Sequence, residues 1–159
     1  AQEIRPESVC LVPENRKEVT TEGGLDVRGN MERASEVVRE LVQNGIPVSM
    51  FIDPDPDQLE ASAEIGAPWV ELHTGSFARA WYDSESRQCE LDILSEGMRI
   101  GTELGLRVNA GHGINYENVE GARKLASIYE FNIGHSIISR SLTTGLVESV
   151  QKMKSLLNE

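Results

Sequence analysis

Leu106-Arg107-Val108-Asn109-Ala110-Gly111-His112-Gly113 is the stretch that decides how this chain folds. A short apolar run ends in Gly-His-Gly, and a helix-like stretch follows. Further along, Phe131-Asn132-Ile133-Gly134-His135 repeats the device: Asn-x-Gly-His again closes an apolar run and again precedes a helix-like stretch. Short apolar runs bounded by turn residues read as buried strands. A glycine lets backbone approach a ligand closely, since no Cβ stands in the way. A histidine beside it can bond an anion or move a proton near neutral pH. The chain has three histidines, and two lie in this repeat.

Working outward, the same alternation recurs. Strand-like runs fall at 9–13, 48–52, 69–73, 106–110 and 131–133. Between them lie helical patterns. Met31, Ala34, Val37, Val38, Leu41 and Val42 recur at helix spacing over 31–44, and Asn44-Gly45 stops that helix. Asp55 reads as an N-cap, Pro56 as the first helical residue and Gln58 as the capping-box position of a helix running to about 65. Further helices are predicted over 84–104, with Leu91, Leu94 and Met98 on one face, and over 115–128, 136–142 and 145–157. In the last, Leu146, Val150, Met153 and Leu157 form a stripe.

Strand and helix alternate five times, which implies parallel strands with helical crossovers. An open doubly wound sheet and part of a (β/α)₈ TIM barrel both satisfy this α/β pattern. Polar and glycine-rich residues cluster just after the strands, where barrel active sites lie. The two Gly-His pairs follow the last two strands, the usual phosphate site of that fold. These features favour the barrel. A full barrel takes about 250 residues and at least roughly 200, so the 159 residues read as about five βα units, strands 4–8. The expectation is a single domain over 1–159, the C-terminal portion of a TIM barrel, with the first three units absent. The start, Ala1-Gln2-Glu3-Ile4-Arg5 with no Met, fits that expectation.

Composition narrows the function. Hydrophobic content of 39% and charged content of 26% describe an ordinary globular chain. A net charge of −11 argues against nucleic-acid or anionic-membrane partners, which need basic patches. A local site for a phosphorylated small molecule remains compatible with it. No run approaches the roughly 18 apolar residues of a membrane span. Cys10 and Cys89 lack metal spacing and suit a reducing cytoplasm; Cys10, in an apolar run, reads as a buried thiol.

Several residue groups could carry chemistry. The glycines flanking His112 expose backbone N–H groups and suit an anion site beside an acid–base group; the bland alternative is a tight turn whose histidine bonds a carbonyl. Gly134-His135 opens a helix, and free N–H groups at a helix start bind phosphate; the alternative is a cap with no ligand. Glu71 and His73 lie two apart on a strand, so they share a face with Trp69. An inward carboxylate is costly to bury, so Glu71 needs a partner or a task; a structural Glu71–His73 ion pair is the alternative. The long loop over 15–29 holds Thr20 and Thr21, whose hydroxyls could meet phosphate or sugar oxygens, though spacing alone favours a solvated loop. Asp53, Asp55 and Asp57 alternate with prolines, and cap-and-turn roles suit them better than a cation. There is no metal cluster, P-loop or nucleophile elbow.

Leu11-Val12-Pro13-Glu14, Glu18-Val19-Thr20-Thr21-Glu22-Gly23-Gly24-Leu25-Asp26-Val27, Glu71-Leu72-His73-Thr74-Gly75, Val108-Asn109-Ala110-Gly111-His112-Gly113 and Asn132-Ile133-Gly134-His135-Ser136-Ile137-Ile138 together resemble the pyridoxine 5′-phosphate synthase family. The match runs in order over essentially the whole chain. The resemblance implies a (β/α)₈ barrel of vitamin B6 biosynthesis, a transferase that condenses 1-deoxy-D-xylulose 5-phosphate with 3-amino-2-oxopropyl phosphate, releasing water and inorganic phosphate. It implies no metal or organic cofactor, a cytoplasmic location and a homo-octamer. By resemblance, His112 is the general acid and Glu71 the carboxylate that stabilises the transition state. Thr20 contacts the deoxyxylulose phosphate; Gly113, Gly134 and His135 contact the aminooxopropyl phosphate. The family's first three strands carry further acid–base and phosphate-binding residues without counterpart here, so little or no activity is expected of these 159 residues alone. Two other functions stay open. One is a different sugar-phosphate barrel enzyme, though no Lys at a strand end supports an aldolase. The other is a phosphate-binding barrel fragment without catalysis.

Overall fold

Strand order settles the choice between the two parallel architectures. A computed structural model describes residues 1–13 and 23–158. Its five strands are β1 (Val9–Leu11), β2 (Val48–Ile52), β3 (Trp69–His73), β4 (Arg107–Gly111) and β5 (Phe131–Asn132). They lie in one sheet in the order β1-β2-β3-β4-β5, every pairing parallel. A doubly wound sheet reverses its order at a switch point. Sequential order with every crossover on one side gives a curled half-barrel, as the barrel reading requires.

The helices are α1 (Met31–Gln43), α2 (Pro56–Glu64), α3 (Gly75–Arg79), α4 (Ser84–Glu103), α5 (Val119–Ala122), α6 (His135–Thr144) and α7 (Leu146–Asn158), with a 3-10 turn at Arg28–Asn30. Asp55 caps α2 by accepting from the Asp57 N–H at 2.9 Å, with Pro56 in the first turn. Gln58 does not close a capping box. Its side-chain oxygen instead accepts from the Val27 and Arg28 N–H groups, because that turn packs against α2 and has donors to satisfy. Asp83 caps α4 through the Ser86 N–H at 2.8 Å. Gly45, at φ 75°, ends α1 as its sequence signals.

Period-2 alternation sorts the strand residues into two faces. Val48, Met50, Ile52, Val70, Leu72, Val108 and Ala110 are buried under the helices. α4 adds Leu94 and Met98, and α1 adds Ala34, Val38 and Leu41. Each buried Val or Leu contributes roughly 1.5–3 kcal/mol to this layer. The concave face is polar by contrast. The register sets Phe51, Glu71 and Asn109 side by side, and His73, Gly111 and Asn132 at the C-terminal ends.

Two expectations need correction, and one helix stripe is only partly covered. The helix predicted over 115–128 shrinks to α5. Asn115 turns its side chain to the Glu117 and Asn118 N–H groups, Asn118 ties its own to the Gly113 carbonyl and the Asn115 N–H, and Ser127 turns to φ 69°. The α7 stripe is buried only at its C-terminal end: Met153 is buried and Leu157 partly so, while Leu146 and Val150 are exposed. Cys10, on the edge strand β1, is exposed as a residue and not enclosed in the core, although its thiol turns inward to Glu71.

Candidate active site

The C-terminal ends of β3, β4 and β5 converge on a cleft of about 480 Å³. Cys10, Phe51, Glu71, His112, Gly113, Asn132, Gly134 and His135 are among its lining residues. Thr20, Thr21 and the rest of 14–22 lie outside the described residues. The other five predicted site residues meet here.

Glu71 crosses the concave face. Its carboxylate accepts from Asn132 Nδ2 at 2.7 Å and from the Cys10 thiol at 3.6 Å. It has room because β4 carries Gly111 beside it: a Cβ there would collide with Glu71 Oε1. Burial pushes Glu71 above the usual carboxylate range, and the bonds from Asn132 and Cys10 only partly oppose this. Cys10, although exposed as a residue, turns its thiol towards Glu71. Burial of the sulfur and then the charge of Glu71 push that thiol up to about 12, so it stays a proton donor. Glu71 is therefore not paired with His73. His73 Nδ1 instead meets Asp53 Oδ1 at 2.9 Å, and this bond above all holds Asp53 below the usual carboxylate range.

His112 stands on a left-handed backbone at φ 76°, followed by Gly113 at φ 79°. That conformation is costly for a residue with a side chain and persists only where neighbours fix it. Thr74 supplies the fixing. Its single hydroxyl proton is shared between the Gly111 and His112 carbonyls, 2.8 and 2.5 Å away, and its N–H donates to the Gly111 carbonyl at 2.8 Å. Buried Asn118 holds the next step, donating to the Gly113 carbonyl at 3.0 Å. Ser136 ties the α6 start to the same loop through the Ile114 carbonyl at 2.8 Å. Burial, then the charges of His73, His135 and Arg79, lower the proton affinity of His112.

Gly134 is the N-cap of α6, with no side-chain cap and no acidic residue in the first turn. The helix start, with its N–H groups and positive dipole end, borders the cleft beside His135. The cleft thus combines a buried carboxylate, an imidazole that gives up its proton readily and a helix N-terminus suited to an anion. Among the described residues, no three His, Cys, Asp or Glu side chains gather as a metal-ligand group.

Sequence reading did not single out Asn132, Asp53 or Thr74 as partners of Glu71, His73 and the His112 loop. The only available signal was that a buried carboxylate and a buried imidazole each need a partner.

Comparison with known proteins decides the family. Residues 1–159 match the family described as "Pyridoxal phosphate biosynthesis protein PdxJ". The chain belongs to the PdxJ family. Curated relatives named pyridoxine 5′-phosphate synthase agree. The one from Synechococcus sp. (strain JA-2-3B'a(2-13)) is 52% identical over 157 residues, covering 99% of this chain and 65% of the relative. That from Opitutus terrae is 52% identical over 158 residues, covering 99% and 64%. That from Pseudoalteromonas translucida is 49% identical over 159 residues, covering 100% and 65%. This PdxJ-family chain therefore spans about 65% of the length of these relatives. No helix among its described residues is long and apolar enough to cross a membrane.

Proposed function

We propose that this chain is the strand 4–8 portion, a single domain, of a (β/α)₈ pyridoxine 5′-phosphate synthase. The enzyme condenses 1-deoxy-D-xylulose 5-phosphate with 3-amino-2-oxopropyl phosphate to pyridoxine 5′-phosphate, phosphate and water. The observation that carries this reading is the convergence of Glu71, His112 and the Gly134-His135 helix start on one cleft at the strand ends. Sequential strand order and the 65% span of the relatives support an eight-unit whole.

In this mechanism Gly134, His135 and the α6 N–H groups hold the phosphate of the aminooxopropyl substrate, with Gly113 alongside. That phosphate anchors the substrate within reach of His112. His112 protonates the departing group as general acid, and its lowered proton affinity makes it a stronger donor. Glu71, fixed by Asn132 and Cys10, is the carboxylate that stabilises the transition state. Thr20 contacts the deoxyxylulose phosphate. The chemistry calls on no organic cofactor, and the enzyme works in the cytoplasm as a homo-octamer.

The test is an assay with both substrates on the protein that contains the whole barrel and on the 159-residue chain. The whole protein forms pyridoxine 5′-phosphate, and His112→Ala slows it by about 10²–10⁴-fold. No product, or equal rates in the variant, sinks the reading. Phosphate binding without turnover in the whole protein supports a non-catalytic phosphate binder instead, and turnover of other sugar phosphates a different barrel enzyme.

A further inference from the structure

We propose that His73, fastened by Asp53, is a positioning residue for His112: it seats the His112 ring and, as a second imidazole beside it, makes the His112 proton easier to release. This rests on the reading of His112 as a proton donor.

The two rings lie 5.0 Å apart between centroids and tilt by 50°. Phe51 closes the cluster, 5.3 Å from His73 and 6.3 Å from His112. Both imidazoles converge over Gly75. A Cβ at that position would collide with His73 Nε2 and lie 3.3 Å from His112 Cδ2. His112 cannot move away easily, because Thr74 grips its carbonyl.

His73 is almost wholly buried, 3% exposed, yet it is not a simple packing residue. Asp53 accepts from Nδ1–H, which orients the ring; Nε2 then bears the lone pair in the neutral ring and a second N–H in the imidazolium. That Nε2 is buried with no hydrogen-bond partner. A phenylalanine would fill the same space without orphaning a polar atom, so the nitrogen calls for an explanation. Its electrostatic effect on the neighbouring ring provides one. Two imidazolium charges at this separation oppose each other, so whenever His73 is charged His112 gives up its proton more readily. The groups facing His112 are His73 from β3, Arg79 from α3 and His135 from α6, with Glu71 in the same cleft. Of these, His73 is the one in ring contact. A general acid that holds its proton less firmly donates it more readily, although a smaller fraction is protonated.

With three histidines in the chain, ring-nitrogen NMR resolves each of them. In the unaltered protein His73 carries its proton on Nδ1. His73→Phe keeps the packing and moves the His112 titration midpoint upward by on the order of one pH unit. Asp53→Ala, at a side chain 53% exposed, removes the Nδ1 preference of His73 and displaces the His112 midpoint. A purely structural role leaves that midpoint in place. The proposal is overturned if folded His73→Phe titrates His112 as before. Should that variant fail to fold, an unchanged His73 tautomer and His112 midpoint in Asp53→Ala overturn it instead. The titration needs no turnover, so its outcome is separate from that of the synthase assay.

Discussion

Glu71 concentrates the conflict between stability and chemistry at the residue scale. Its carboxyl is raised above the usual range by burial, so the fold prefers the protonated form. The contribution of this group to stability is fully present below the ordinary carboxylate value of about 4.3. It is lost as pH rises through the raised folded value. Glu71→Gln keeps the acceptor for Asn132 and removes the charge. Chemical unfolding should therefore find the variant more stable than the parent at pH 7, with the gain vanishing near pH 4. In the whole-barrel protein of the proposed function, the same substitution should slow synthesis by roughly 10²–10³-fold. Equal stabilities at pH 7 would contradict the assignment of burial as the dominant cause. That Glu71 and His112 lie at the strand ends was legible in the sequence, one from strand alternation and the other from its flanking glycines. Their partners were not. Asn132 lies 61 residues from Glu71, and Asp53 lies 20 from His73, and neither distance has a local pattern.

Apolar runs with clear stops gave the elements away, and side-chain capture of backbone concealed them. β2 and β3 match their predicted limits, since turn residues bound both runs, Gly45 and Pro47 before the first and Pro54 after it. α3 went unforeseen because five residues cannot show a helical period. α5 is short because Asn118 bonds the Gly113 carbonyl and Asn115 captures the Glu117 and Asn118 N–H groups in place of a helical turn. The same economy applies to the link between β3 and β4. Thr74 is buried and makes side-chain bonds to two consecutive carbonyls. Thr74→Val preserves shape and β-branching but leaves the His112 carbonyl without this donor. It should cost about 1–3 kcal/mol in denaturant unfolding. It should also loosen the left-handed backbone at His112, seen as faster amide exchange over 111–113. Destabilisation below about 0.5 kcal/mol would mean that Asn118 and packing alone hold the loop.

Across the whole molecule, the sheet puts its apolar face under helices and its polar face towards the cleft, which is how a barrel separates stability from chemistry. The order of strands was legible because βα repetition admits few topologies. The outward turn of Leu146 and Val150 was not, since periodicity marks a stripe without saying what covers it. The anion end of the cleft offers a test in which two effects of opposite sign come from one substitution. α6 starts at Gly134 with no side-chain cap, and nothing lies within 4 Å of where a Cβ at Gly134 would be. Gly134→Asp therefore fits. Its carboxylate can accept from the free N–H groups and complement the helix dipole, stabilising the unliganded protein by about 0.5 kcal/mol. The same carboxylate occupies and repels the proposed phosphate position. Inorganic phosphate should raise the melting temperature of the parent, with a stabilisation that grows as the logarithm of ligand concentration to about 2.7 kcal/mol at a hundredfold excess over Kd. It should leave Gly134→Asp unmoved. A thermal scan of both proteins with and without phosphate reads both signs at once. A variant that is more stable and still responds to phosphate would keep the cap but remove the anion from α6.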